Sequence, residues 1–372
     1  MLQDHPILKC LPSVFAVENE YQIFTVFDAA ALVKVRVGGE EFYDDSNGIL
    51  RSNSNIHHVS VPIELLDRAK EYTIIYNKII ERKPYFPTSE EEKTLTLPFR
   101  PVRGDDLNIY LISDTHNLVD EPIRCGKYFG DKLDLLVLNG DIPNHSGDIK
   151  YFDAIYEIAG AVTCGECPVV FARGNHDARG LHAEEFVHYT PGANGKTFYT
   201  FRLGSVWGLV LDCGEDKSDD SEEYGGTVCF HSFRLAETKF LKQVAASEQY
   251  KAKGITHRLV ICHIPFTHRP AQQLFDIEDD IYCEWAAILR DSIKPSLMLC
   301  GHLHAPQISP VGGKLDARGQ ACPLIAAGKP ERSKDLPAAY QGCAITLGCD
   351  QARVIFNHSS GGILLDEVIP LT

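Results

Sequence analysis

Residues 169–177 read VVFARGNHD: four apolar residues, an arginine, a glycine, and then three side chains that can ligate a metal or carry a proton. The same grammar recurs along the chain. An apolar run at 109–112 is followed by SDTHN, and LLVL at 135–138 by NGD. The run at 206–211 precedes DCGED, 259–262 precedes HIPF, and 297–300 precedes GHLH. Continuous apolar runs of this length are the mark of strands covered on both faces. Between some of them lie helical stretches. Over 232–246, Phe233, Ala236, Phe240, Leu241 and Val244 recur with helical period, and 281–293 is similar. Strands alternating with helices predict a layered α/β domain. The runs PLIAA, AITLG, ARVIF and GILLDEV after residue 323 are expected to complete a sheet of that domain.

The residues before this part read differently. Short strands are expected at 14–17, 22–27, 32–37, 57–61, 72–79 and 94–97, separated by turn signals such as DDSNG and RSNSN. LVKVRV at 32–37 alternates apolar and basic residues, the period of a half-buried strand. An antiparallel β-sandwich over residues 1–100 follows from this pattern. PYFPTSEEEKT at 84–94 reads as a surface loop, and LPFRPVRGDD at 97–106 as a linker into a second domain over 101–372.

Composition bounds the function. The chain has 372 residues, 44% hydrophobic and 23% charged, ample for a large core. Lys plus Arg is 36 against 51 Asp plus Glu, a net charge of −15. That argues against nucleic-acid binding through a broad basic surface and against anionic membranes. No run approaches the roughly 18 apolar residues of a membrane helix. The opening MLQDHPILKC has no basic-then-apolar leader, so the expected address is the cytoplasm. The twelve cysteines are not read as a disulfide framework. Cys164 and Cys167 form a CGEC pair with no second CxxC to close a four-sulfur site, so they read as a loop between a helix and a strand.

The chemistry sits where the apolar runs end. In open α/β sheets ligands bind beyond the carboxyl ends of the strands. Asp114, His116, Asp141, Asn175, His176, Asp177, His263, His302 and His304 are therefore placed to converge. Carboxylate, imidazole and amide oxygen together suit divalent Mn, Fe, Zn or Co. Each piece has a plain structural alternative: an N-cap for Asp114, a turn for Asp141, an interior hydrogen-bonded histidine for His263. All five clusters in this order, each after a strand, do not.

DTH, GD, GNHD, a lone His and GHLH in that order resemble the calcineurin-like metallophosphoesterase superfamily. The layout also resembles purple acid phosphatases and their bacterial relatives, whose front domain is fibronectin-III-like or immunoglobulin-like. The fold this implies is two packed β-sheets flanked by helices, after an all-β sandwich. The resemblance implies that Asp114, His116 and His304 hold one metal, that Asp141 bridges, and that Asn175, His263 and His302 hold the second. It implies that His176 faces the substrate, oriented by Asp177. Purple acid phosphatases carry a tyrosine three residues after the bridging aspartate. Here that residue is Asn144, and His116 stands where they lack a histidine, so no iron–tyrosinate chromophore is expected.

The implied reaction is hydrolysis of a phosphate mono- or diester by hydroxide bridging two divalent ions, with His176 and Asp177 assisting the leaving group. Arg173, Arg179 and His145 are candidates for substrate binding, each with a structural alternative: an ion pair with Asp177 or Asp212 for an arginine, a surface loop for His145. The acidic stretch at 214–226 reads as a solvated loop. Selectivity is expected in loops 145–148, 214–226 and 268–280. The competing reading is a non-catalytic scaffold of the same fold that binds a protein partner. Such scaffolds lose ligands or the active-site histidine, and this chain has every expected type.

Overall fold

The computed structural model describes residues 2–104, 106–270, 278–333 and 335–371. Residues 271–277 of the expected selectivity loop 268–280 lie outside that set. Two mixed sheets face each other. The larger contains Leu107–Ile112, Leu135–Asn139 and Val169–Ala172 side by side and parallel. Ala339–Leu347, Gln351–His358 and Ile363–Pro370 continue it antiparallel, completing the sheet as the sequence predicts. The smaller runs Tyr199–Leu203, Val206–Leu211, His257–Cys262, Leu297–Cys300, Leu324–Ala326, Gln307–Ser309, and its middle four strands are parallel.

Strand alternation divides each apolar run between two cores. Ile109, Leu111, Val137 and Val170 point inward and meet Val210, Ile261 and Leu299 of the facing sheet. Tyr110, Ile112, Leu136 and Phe171 point the other way, onto Ile155, Ile158 and Ala159 of helix Asp153–Thr163. On the far side Leu209, Val260 and Met298 pack under Leu241 and Val244 of helix Phe230–Ser247 and Trp285 of helix Asp279–Ile288. Helices thus cover both sheets, and the runs read as continuous because neither face is wet. Among the described residues no helix is long and apolar enough to cross a membrane.

The front region is antiparallel β, with strands Ser13–Val17, Glu20–Val26, Ala31–Val37, Ile56–Pro62, Glu71–Glu81 and Lys93–Pro98. Val33, Val35 and Val37 are buried while Arg36 is exposed, as the alternation predicts. Its two layers share one core, Val14, Ile23 and Val59 on one side against Val35, Ile74 and Leu97 on the other. One of those layers is the edge of the large sheet. Ser13–Val17 lies parallel to Val169–Ala172, with Phe15 opposite Val169, and so covers backbone groups that an edge strand would expose. The division near residue 100 therefore follows the chain and not the sheet. Nor are residues 97–104 of the expected linker free: Phe99 packs edge-on against Tyr21 at 5.0 Å, and Phe99 and Val102 are buried.

Cys164 caps helix Asp153–Thr163 in the left-handed region, and Cys167 is buried in the core. Only Cys164, Cys229, Cys283 and Cys349 are exposed. Burial pushes the Cys10 and Cys167 thiols up to about 12 and Cys125 to about 11. A thiol reagent at pH 8 is expected to titrate four groups rapidly in the native protein and all twelve in denaturant. Rapid reaction of Cys10 or Cys167 would contradict this packing.

Candidate metal centre

The parallel strands of both sheets end along one line, and each expected ligand lies just past an end. Asp114 and His116 follow Leu107–Ile112, Asp141 follows Leu135–Asn139, and Asn175 follows Val169–Ala172. His263 follows His257–Cys262, and His302 and His304 follow Leu297–Cys300. The chain turns sharply there. Asp114, His116, Asp141, His302 and His304 all have positive φ (55°, 46°, 54°, 67° and 48°). For residues with a Cβ this conformation costs energy, and its concentration on these side chains is the pattern of a functional site.

The turns bring the groups together. Ligand atoms of Asp114, His116 and His304 lie within 4.8 Å of one another, as do those of Asp114, Asp141 and His263. His116 Nε2 faces His304 Nε2 at 3.0 Å, and His304 Nε2 is 3.2 Å from Asp114 Oδ1. His263 Nε2 is 3.2 Å from Asp141 Oδ2 and 3.8 Å from Asp114 Oδ1. His302 Nδ1 lies 3.0 Å from the amide oxygen of Asn175. All seven expected ligands are thus brought to one place.

The chemistry of this donor set fits a cation. Two imidazole nitrogens facing each other have no complementary hydrogen bond unless one carries a proton. His116 Nδ1 is buried without a hydrogen-bond partner, and His263 Nε2 has only the Asp141 carboxylate at 3.2 Å. His263 Nδ1 donates to the Asn139 carbonyl at 2.7 Å, which aims the other nitrogen at Asp141. Burial lowers His116 and His302 to about 4, so both are neutral and able to ligate at neutral pH. Burial also acts to lower His263, but the Asp141 and Asp114 carboxylates outweigh it and lift it to about 10.

The flanking residues depart from expectation. Asp177 does not touch His176. Its buried carboxylate accepts from the backbone N–H of Gly174 at 2.7 Å and of Asp141 at 3.1 Å, and so ties two ligand loops together. His176 Nδ1 instead meets the Asn144 carbonyl at 2.9 Å. Arg173 is no phosphate clamp: Nε lies 2.7 Å from Asp212, and the guanidinium sits over the rings of Phe230 and Phe233. Arg179 spends its fork on Glu215, at 2.5 and 2.8 Å, leaving Nη1 3.4 Å from His176 Nε2. Glu215 is fully buried, so the head of the acidic stretch is interior and not a solvated loop. The Nδ1 of His145 accepts from Gly147 N–H in its own loop, and its ring packs edge-on against Tyr151.

The family model described as calcineurin-like phosphoesterase matches residues 107–306. The chain belongs to that family. No curated relative matches the chain. The chain resembles the structure of purple acid phosphatase PPD1 from yellow lupin (Lupinus luteus) seeds, with TM-score 0.62 and 13% identity over 96% of this chain and 74% of that one. It also resembles the structure of PhoD, with TM-score 0.54 and 13% identity over 97% and 88%. At such identities the likeness shows the fold, which reaches across the front β region as well.

Several residues that support the centre escape motif reading. The hydroxyl of Ser113 lies between Asp114 Oδ2 and the Asn139 carbonyl, at 2.5 and 2.7 Å, and has one proton to donate to this pair. The Tyr340 hydroxyl accepts from Ser113 N–H at 2.9 Å and donates to its carbonyl, fixing the turn into Asp114. Asp216 reaches within 3.7 Å of His302 Nε2. Arg332 donates to the His116 carbonyl and has no carboxylate partner among the described residues. For Ser113 and Asn139 a signal existed, a polar residue closing an apolar strand. For Asp216, Arg332 and Tyr340 none did.

Proposed function

We propose that the chain is a metal-dependent hydrolase of phosphate mono- or diesters that uses two divalent cations of the Mn, Fe, Zn or Co class. The observation that carries this is the set of three adjoining triads formed by six imidazoles and carboxylates, Asp114, His116, Asp141, His176, His263 and His304. Asp114, His116 and His304 would hold one cation, His263, His302 and Asn175 the other, with Asp141 shared. When bound, such cations supply Lewis-acid stabilisation of charge on the phosphoryl oxygens and activate water. The chain's own part is positioning. The carbonyl of Asn144 holds His176 Nδ1–H; in the imidazolium form the second proton, on Nε2, would pass to the leaving oxygen and leave the neutral Nδ1–H ring. Arg179, pinned by Glu215, sits against that nitrogen and limits where the ring can turn.

The test is hydrolysis of p-nitrophenyl phosphate and its bis-ester by metal-stripped protein reloaded with each metal in turn. Turnover is expected only with metal. His176→Asn is expected to slow kcat by about 100-fold while metal content stays at the parent value. Unchanged kcat in that variant would remove His176 from the reaction. Metal uptake with no turnover of either ester would favour a scaffold on this fold.

A further inference from the structure

Against the His302 side of the centre lies a cavity of about 360 Å³. Its walls are Ile264, Pro265, Phe266, Tyr282 and Leu303, with His302 itself forming the side toward the metal ligands. Phe266 and Tyr282 are buried and packed on Trp285, with ring centroids 5.6 and 5.5 Å from it, so this wall is backed by the core. The segment carrying Phe266 is pinned by the nearly buried Arg318, which donates to the Phe266 carbonyl at 3.1 Å and to the His268 carbonyl, and lies over the Tyr282 ring. Nε of Arg318 is bonded to Asp279 at 2.7 Å. The one acid lining the cavity, Asp216, has Lys217 at 3.1 Å.

Such a space is large enough for a ligand group and walled mainly by apolar side chains, with Asp216, His268, His302 and Arg318 as its polar members. It shares His302 with the candidate centre, and His302 Nδ1 is 3.0 Å from Asn175. A phosphoryl group at the centre therefore has its organic part within reach of this cavity. Of the cations beside it, Arg318 is committed to carbonyls and Asp279, and Lys217 is paired with Asp216 at 3.1 Å and Glu223 at 3.0 Å, so a second phosphate or a carboxylate is disfavoured there. We propose that the cavity receives the organic group of the ester, and that the substrate class is the phosphate ester of a bulky apolar or aromatic alcohol. This rests on the hydrolase reading above.

The experiment compares 2-(1-naphthyl)ethyl phosphate with ethyl phosphate, both alkyl esters with unactivated leaving groups, on metal-loaded protein. Binding of the matching non-hydrolysable phosphonates is measured by calorimetry. The naphthyl compounds are expected to show kcat/KM and affinity at least about tenfold above the ethyl ones, as burial of a ring system requires. Leu303→Trp, which fills the cavity, is expected to erase that ratio, and Ile264→Trp is a second variant of the same design should the first fail to fold. Equal kcat/KM for the two esters, or a ratio untouched by either filled variant, would overturn the cavity assignment and leave the hydrolase standing. A naphthyl preference in binding that the filled variants erase, with no ester turned over, would keep the cavity and overturn the hydrolase.

Discussion

Asp141→Asn is expected to lower kcat/KM for p-nitrophenyl phosphate by about a thousandfold or more, and to release bound metal, with the fold intact. Asp141 is buried at the centre of the cluster. Its Oδ1 accepts from the backbone N–H of His176 at 2.8 Å, while Oδ2 lies 3.2 Å from His263 Nε2 and 4.0 Å from His116 Nε2. Asparagine has the same shape and can keep the bond to His176. It lacks the charge that faces three histidine-bearing loops, and in a buried site a charge is worth far more than a dipole. The turn itself is held elsewhere, by the Asp141 N–H on Asp177, so the circular dichroism spectrum should not change. Metal content by mass spectrometry beside the kinetics checks this. A variant that keeps both metal and rate would show that Asp141 is not shared between ions.

Gly174→Ala is expected to lower metal affinity by about 10- to 100-fold and to destabilise the metal-free protein by about 1–3 kcal/mol. A Cβ at Gly174 would stand 2.2 Å from Asp141 Oδ1 and 2.4 Å from its backbone nitrogen. Neither atom can retreat. Oδ1 is held by the His176 N–H, and Gly174 N–H is itself bonded to Asp177. The added methyl must therefore part the two ligand loops that Asp177 joins. Gly362→Ala is the control: a Cβ there meets nothing within 4 Å, and its stability should be unchanged or slightly raised. Urea unfolding and metal titration of both variants decide the matter. If Gly174→Ala behaved as the control does, the contact between these loops would be looser than described.

The sequence reveals the site better than its surroundings, and the reason is physical. Asp114, Asp141, His263 and His302 each end an apolar run, and a strand buried on both faces has a signal in composition alone. Ser13–Val17 carries the same signal, SVFAV, buried throughout, yet its neighbour is Val169–Ala172, more than 150 residues away. Nothing local names the partner of a parallel strand. The pairing of His176 with Asp177 fails for a related reason. Adjacent residues on the short helix His176–Ala178 point in different directions, so Asp177 turns inward to backbone amides and His176 outward to Asn144. The arginines near GNHD are legible as cations but not as partners: Asp212 and Glu215 come from the end of a strand in the other sheet. The burial of Glu215 at the head of an acidic run is likewise a tertiary fact, since the fork of Arg179 and the Tyr224 hydroxyl, 3.0 Å from Oε2, together satisfy its carboxylate.

On the function proposed above, the buried Asp and His cluster holds divalent cations. The most direct test of this is elemental analysis of the metal-stripped chain after equilibration with Mn, Zn, Fe or Co, beside Asp141→Asn treated identically. About two ions per parent chain are expected for at least one of these metals, with a clear loss in the variant. A parent chain that binds none of the four, or a variant that binds as many ions as the parent, would contradict it.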